Sequence, residues 1–141
     1  AIYDGVTKTE RDGYVDMHAW CSSFITSMGH ALAKEGGIVC ATAGKSFRIR
    51  LESAQALGLV LGELMADSSD RARRKGREPK IKIELTSIEG SRSLLHIRDE
   101  SPSSETPPLA FLLAESFGCE LRHLPSGTGT ERELSFSPNQ A

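Results

Sequence analysis

Apolar positions along this chain recur with two different periods, and the alternation of those periods predicts its elements. Trp20, Phe24, Ile25, Met28, Ala31 and Leu32 fall at helical spacing and make one stripe. Asp16 is placed to cap that helix, with Val15 before the cap and Trp20 four residues after it set as a hydrophobic staple. Gly36 and Gly37 end it. Short strands are expected at 38–42 and 47–51, with Ala43, Gly44 and Lys45 as the turn between them. From Ser53 to about Arg73 a second helix presents Ala54, Leu57, Val60, Leu61, Leu64 and Met65 on a broad face.

The period then changes to two. Ile81, Ile83 and Leu85 alternate with Lys80, Lys82 and Glu84, the pattern of a half-buried strand, and 93–98 reads as its partner across a turn at Glu89 and Gly90. A polar, proline-bearing loop covers 99–108, a third helix runs over 109–117 to Gly118, and two strands at 120–124 and around Leu134 and Phe136 close the chain. This order predicts an α/β (α+β) two-layer sandwich, three helices on one face of a mixed, mostly antiparallel sheet. Residues 1–14 read as a connector from an upstream region, 15–137 as the domain and 138–141 as a tail.

Composition narrows the function classes. With 38% hydrophobic and 26% charged residues among 141, the chain has the balance of a folded domain with a core of its own. No apolar run approaches the roughly 20 residues of a spanning helix. The absence of a basic-then-apolar leader makes a cytoplasmic location the expectation. A formal net charge of −2 gives no electrostatic reason for a nucleic-acid partner. Cys21, Cys40 and Cys119 have neither disulfide-framework nor zinc-ligand spacing, which suits a reducing compartment. The four histidines are scattered, and none has the acidic neighbour of a phosphoacceptor, so the chain is not expected to be a phosphotransfer protein by itself.

Three segments carry a family resemblance. Leu57–Ala72 resembles the N-box helix of bacterial sensor histidine kinases, HWE-type kinases above all; Leu95–Ser103 is similar to their DxGxG strand and loop; and 121–136, with Gly127-Thr128-Gly129-Thr130, resembles the closing glycine-threonine turn and strand. Val15-Asp16-Met17 is similar to the opening of the same domain. The likeness covers 15–137 in the family's order. It implies the histidine-kinase ATPase (GHKL, or Bergerat) fold.

By position, the resemblance makes Glu63 the acidic residue that assists attack on the γ-phosphate. Asp67 stands where an asparagine holds magnesium, and Asp99 is the carboxylate that meets the adenine amino group. Ser101 and Ser103 replace two glycines, and Thr128 and Thr130 flank the adenine pocket. The residues themselves also admit plainer readings. Glu63 and Asp67 share a helical face, where Asp67 can pair with Arg71 one turn on. Asp99 can cap backbone N–H groups at a strand end, or, if buried without adenine, needs another donor. The basic cluster Arg71, Arg73, Arg74, Lys75 and Arg77 reads as a solvated helix end.

Departures from the family pattern shape the expected function. Serines stand where backbone freedom is needed, and Pro107 and Pro108 remove N–H donors from the helix end that should meet phosphate. An aspartate at 67 adds negative charge beside a triphosphate. The connecting lid is short. The chain is therefore expected to be a degenerate domain of a two-component signalling protein, a pseudokinase with weak or no ATP and magnesium binding. In this it is similar to the ATPase-like domain of bacterial histidine phosphotransferases. Its expected partners are an upstream dimerisation and phosphoacceptor helical domain and a response regulator or other signalling protein, with no nucleic acid and no membrane contact. Two alternatives stand beside this one: an active catalytic domain of a divergent HWE-type kinase phosphorylating a histidine upstream, and an anti-sigma-factor-like regulator.

Overall fold

The computed structural model describes residues 13–34, 36–88, 92–103, 105–124 and 126–137. Three helices pack on a five-stranded sheet, with a two-stranded ribbon at one end. The ribbon pairs β1 (Tyr14–Asp16) with β3 (Arg48–Arg50), antiparallel. Helix α1 (Met17–Leu32) follows β1 directly. Asp16 caps it by accepting the Ala19 N–H at 2.9 Å, and Ser46 donates to the same carboxylate at 2.5 Å. Val15 and Trp20, the expected staple, are both buried.

The main sheet has the order β2 (Ile38–Ala43), β4 (Ile81–Ile88), β5 (Arg92–Asp99), β7 (Thr130–Phe136), β6 (Glu120–Leu124). Only β2 with β4 is parallel; the other pairings are antiparallel. The two strands expected to face each other across Ala43-Gly44-Lys45 do not pair. β2 joins the main sheet and β3 joins the ribbon, because Phe47 to Leu51 is drawn to the start of α1, where the Phe47 carbonyl accepts the Met17 N–H. Tyr14, read as connector, is a strand residue for the same reason. The Glu89-Gly90 turn lies outside the described residues.

Helix α2 (Leu51–Arg74) lays Leu57, Leu61, Leu64 and Met65 on Ile83, Leu85, Leu95 and Ile97, and this apolar layer is the core. Gly58 lets α1 come close: a Cβ there would sit 3.2 Å from the Trp20 ring. Helix α3 (Pro108–Ser116) starts with proline at its first turn, where the missing N–H costs nothing. It buries only Ala110 and Ala114, leaving Leu109, Phe111 and Leu112 in solvent.

Candidate functional site

The side chains of β5 alternate, with Ser93, Leu95, Ile97 and Asp99 on the buried face. The strand's last residue is therefore a carboxylate pointing into the helix layer. Register fixes its neighbours: Asp99 lies opposite Thr130, and Ile97 opposite Arg132, so β7 adds a hydroxyl and a guanidinium to the same face. Across the layer, the stripe of α2 that begins Leu57, Leu61, Leu64 continues as Ser68 and Arg71, and the core passes from apolar to polar along one helix face.

Arg71 fills the space between. Its guanidinium makes a forked contact with Asp99, Nη2 to Oδ2 at 2.6 Å and Nη1 to Oδ1 at 3.2 Å. Its Nε donates to Asp67 Oδ2 at 2.9 Å, and Nη1 also reaches the Ser101 carbonyl and Thr130 Oγ1. Ser68 donates to Asp99 Oδ2 at 2.5 Å, and the Ser101 N–H donates to Asp99 Oδ1 at 2.8 Å. Asp99 is 7% exposed and Arg71 9%. Burial opposes the charge of Arg71, and its hydrogen bonds with Asp99 and Asp67 outweigh it, so the guanidinium is held more firmly protonated than in water.

A second arginine completes the layer. Arg132, only 1% exposed, donates to Asp67 Oδ2 at 3.0 Å and to the Glu105 carbonyl at 2.7 Å. Burial lowers its proton affinity, partly offset by Asp67, and it remains charged. Gly129 brings the β6–β7 connection against this region so closely that a Cβ would lie 1.9 Å from the Asp99 carbonyl oxygen. Beside the cluster is a cavity of about 340 Å³ bordered by Ser68, Arg77, Lys80, Asp99 and Ser101.

No protein-family model and no curated protein sequence matches the chain. Solved structures do. The Erythrobacter litoralis EL346 blue-light activated histidine kinase superposes with a TM-score of 0.69 at 19% identity, over 89% of this chain and 43% of that one. The Acinetobacter baumannii histidine kinase AdeS gives 0.65 at 14% identity, covering 89% and 68%. The catalytic domain of the histidine kinase ThkA gives 0.64 at 10% identity, covering 89% and 94%. The fold is that of a histidine kinase catalytic domain. The chain spans less than half the length of the EL346 kinase and nearly all of the isolated ThkA domain.

Within this kinase-type domain, the residues marked by resemblance separate into two groups. Asp67, Asp99, Ser101 and Thr130 meet in one network. Glu63, one turn before Asp67, is partly exposed and has no ion pair among the described residues. Ser103 and Thr128 stand outside the network, Ser103 closing a small turn with Glu105 and Thr128 lying in solvent. The arrangement at Asp67 does not favour magnesium, because its Oδ2 is already held by two guanidinium groups, whose positive charge opposes a cation there. Both oxygens of Asp99 are likewise taken from within the chain.

The basic cluster at the end of α2 was expected to be solvated throughout, and for Arg71 that is corrected. It is buried because it continues the inward stripe, while Arg73, Arg74 and Lys75 are exposed. The signal was present in the spacing of Leu57, Leu61, Leu64, Ser68 and Arg71. Arg132 carried a similar signal, since it alternates inward with Thr130 and Leu134. Sequence reasoning passed over both because an arginine on a core face is ordinarily rejected, and only its partner's position makes it acceptable.

Proposed function

We propose that this chain is a degenerate nucleotide-site domain of a two-component signalling protein. The carboxylate at the adenine position is engaged by its own Arg71, and the domain acts by contact with other proteins. The observation that carries this reading is the forked Arg71–Asp99 contact, reinforced by Ser68 and the Ser101 N–H. A carboxylate that recognises an adenine amino group must have a free oxygen to accept from it. Here an arginine, a hydroxyl and a backbone N–H hold that carboxylate, and displacing them would leave a buried charge without partners. Prolines at the start of α3 add to the argument, since Pro107 and Pro108 offer no N–H to a phosphate.

Contact is the remaining mode of action, and α3 supplies surface for it through Leu109, Phe111 and Leu112. The partner in this reading is the helical dimerisation and phosphoacceptor domain upstream, or a response regulator, in the cytoplasm. No helix among the described residues is long and apolar enough to cross a membrane. Thermal shift and calorimetry with ATP and magnesium test the proposal. A functional site stabilises the domain by RT ln(1 + [L]/Kd); the expected result is no shift and no binding heat. Tight, magnesium-dependent binding overturns it.

One observation favours a catalytic reading: Glu63 keeps a partly exposed position on α2 without an ion pair among the described residues. In that reading the full-length protein transfers the γ-phosphate to its upstream histidine. Autophosphorylation with an intact acceptor histidine supports it, and its absence removes it.

A further inference from the structure

The main sheet ends in two unlike edges. At one, β6 carries Glu120, Arg122 and His123 at exposed positions, and such charged residues keep an edge strand from pairing with another chain. At the other, β2 reads Ile38-Val39-Cys40-Ala41-Thr42-Ala43, without a charge, a proline or a glycine. Val39 is 47% exposed, and Ala41, Thr42 and Ala43 are exposed as well. Helix α1 approaches this strand at Gly29, where a Cβ would lie 3.7 Å from that of Ile38, yet it leaves those residues open.

The backbone fixes which groups point outward. The Gly37 carbonyl accepts the Ile81 N–H at 2.8 Å, so it points towards β4. Peptide directions alternate along a strand. Val39 and Ala41 therefore also turn their N–H and C=O groups to β4, whereas Ile38, Cys40 and Thr42 present theirs at the outer edge.

A second copy of this chain offers the same three residues. An antiparallel pair about a two-fold axis normal to the sheet keeps both helix layers on one side, with residues of the same face opposite each other. Centred on Cys40, it sets Cys40 opposite its counterpart and Ile38 opposite Thr42, and the outward groups exchange about six hydrogen bonds. Centred on Ala41, it makes only about four. Charge selects the same register. Val39 lies beside Lys82, and Ala41 beside Glu84. With Cys40 at the centre, each row runs from Lys82 through Val39 to Ala41 and Glu84 of the second copy, so opposite signs flank the junction. With Ala41 at the centre, two copies of Glu84 would flank it.

We propose that β2 is a self-association surface, through which two copies of this chain pair antiparallel about Cys40 and continue one sheet across both. Sedimentation equilibrium of the full chain over a wide concentration range is expected to show a monomer–dimer equilibrium. Thr42→Pro removes an outward N–H without touching the bonds to β4. It should weaken dimerisation about tenfold or more, with circular dichroism checking the fold. Under mild oxidation a mixture of V39C and A41C should form a mixed interchain disulfide, located by peptide mapping, because those positions stand opposite at roughly 4.5 Å between Cα atoms. Neither variant alone should do so, and this arm decides by itself if Thr42→Pro does not fold. A wild type that is monomeric at every concentration, an equally tight dimer of folded Thr42→Pro, or A41C linking to itself as readily as to V39C overturns the proposal.

Discussion

At the C-terminal end of α2, charged side chains are buried and paired, whereas on α3, large apolar side chains lie in solvent. Arg71 is 9% exposed and bound on several sides, while Leu112 is 60% exposed. The two regions invert the usual rule that charges go out and leucines go in. A buried charge is tolerable only with partners, and here Asp99, Asp67, Ser68 and Ser101 supply them. An exposed apolar face needs no internal partner, and α3 can leave Leu109, Phe111 and Leu112 outside because Ala110, Leu113 and Ala114 seat it on the layer. The first region has spent its interactions within the chain. The second still has interaction free energy to give.

Breaking the first region should give the largest effect. Arg71→Ala leaves Asp99 buried without its cation, and a loss of about 3–5 kcal/mol in unfolding free energy is expected. Urea titration checks it, and an unchanged midpoint would mean that the network does not hold the domain together. The same variant sharpens the comparison if it folds: any ATP binding gained over wild type, read by a fluorescent analogue, would trace the block to Arg71. Gly129→Ala comes next, because its Cβ must collide with the Asp99 backbone. A loss of roughly 1–3 kcal/mol in the same titration is the expected range for overpacking.

Asp67→Asn should cost about as much as a charged hydrogen bond, roughly 1.5–3 kcal/mol. It should also be strongly non-additive with Arg132→Met, since both changes remove one contact. A double-mutant cycle that sums to zero coupling would separate the two arginines. The smallest effect belongs to α3. Leu112→Ser should alter stability by no more than about 0.5 kcal/mol, yet, on the proposed contact reading, weaken capture of a dimerisation and phosphoacceptor helical domain in a binding assay. A large loss of stability would show that the α3 face is part of the core after all.

The elements were largely legible in the sequence, because periodicity reports burial directly. The α2 stripe and the strict alternation of β4 each gave the correct element with boundaries shifted by a few residues. The pairing of β3 was not legible. Residues 47–51 look like a hairpin partner of the preceding strand, and only the docking of Phe47 at the start of α1 carries them to the ribbon. The acidic members of the site were visible as Asp67 and Asp99, and so was the pair of Asp67 with Arg71.

What the sequence determined by itself is therefore the layered fold and the local backbone limits at Ser101, Ser103, Pro107 and Pro108, since glycine and proline act through local geometry. Tertiary structure alone decided what became of Asp99. Asp99 and Arg71 are far apart in the chain, and no local rule distinguishes a solvated arginine at a helix end from one that turns inward. That choice depends on a carboxylate at the end of another strand, in register with Thr130 and Arg132, close enough to compensate the loss of water around a buried charge.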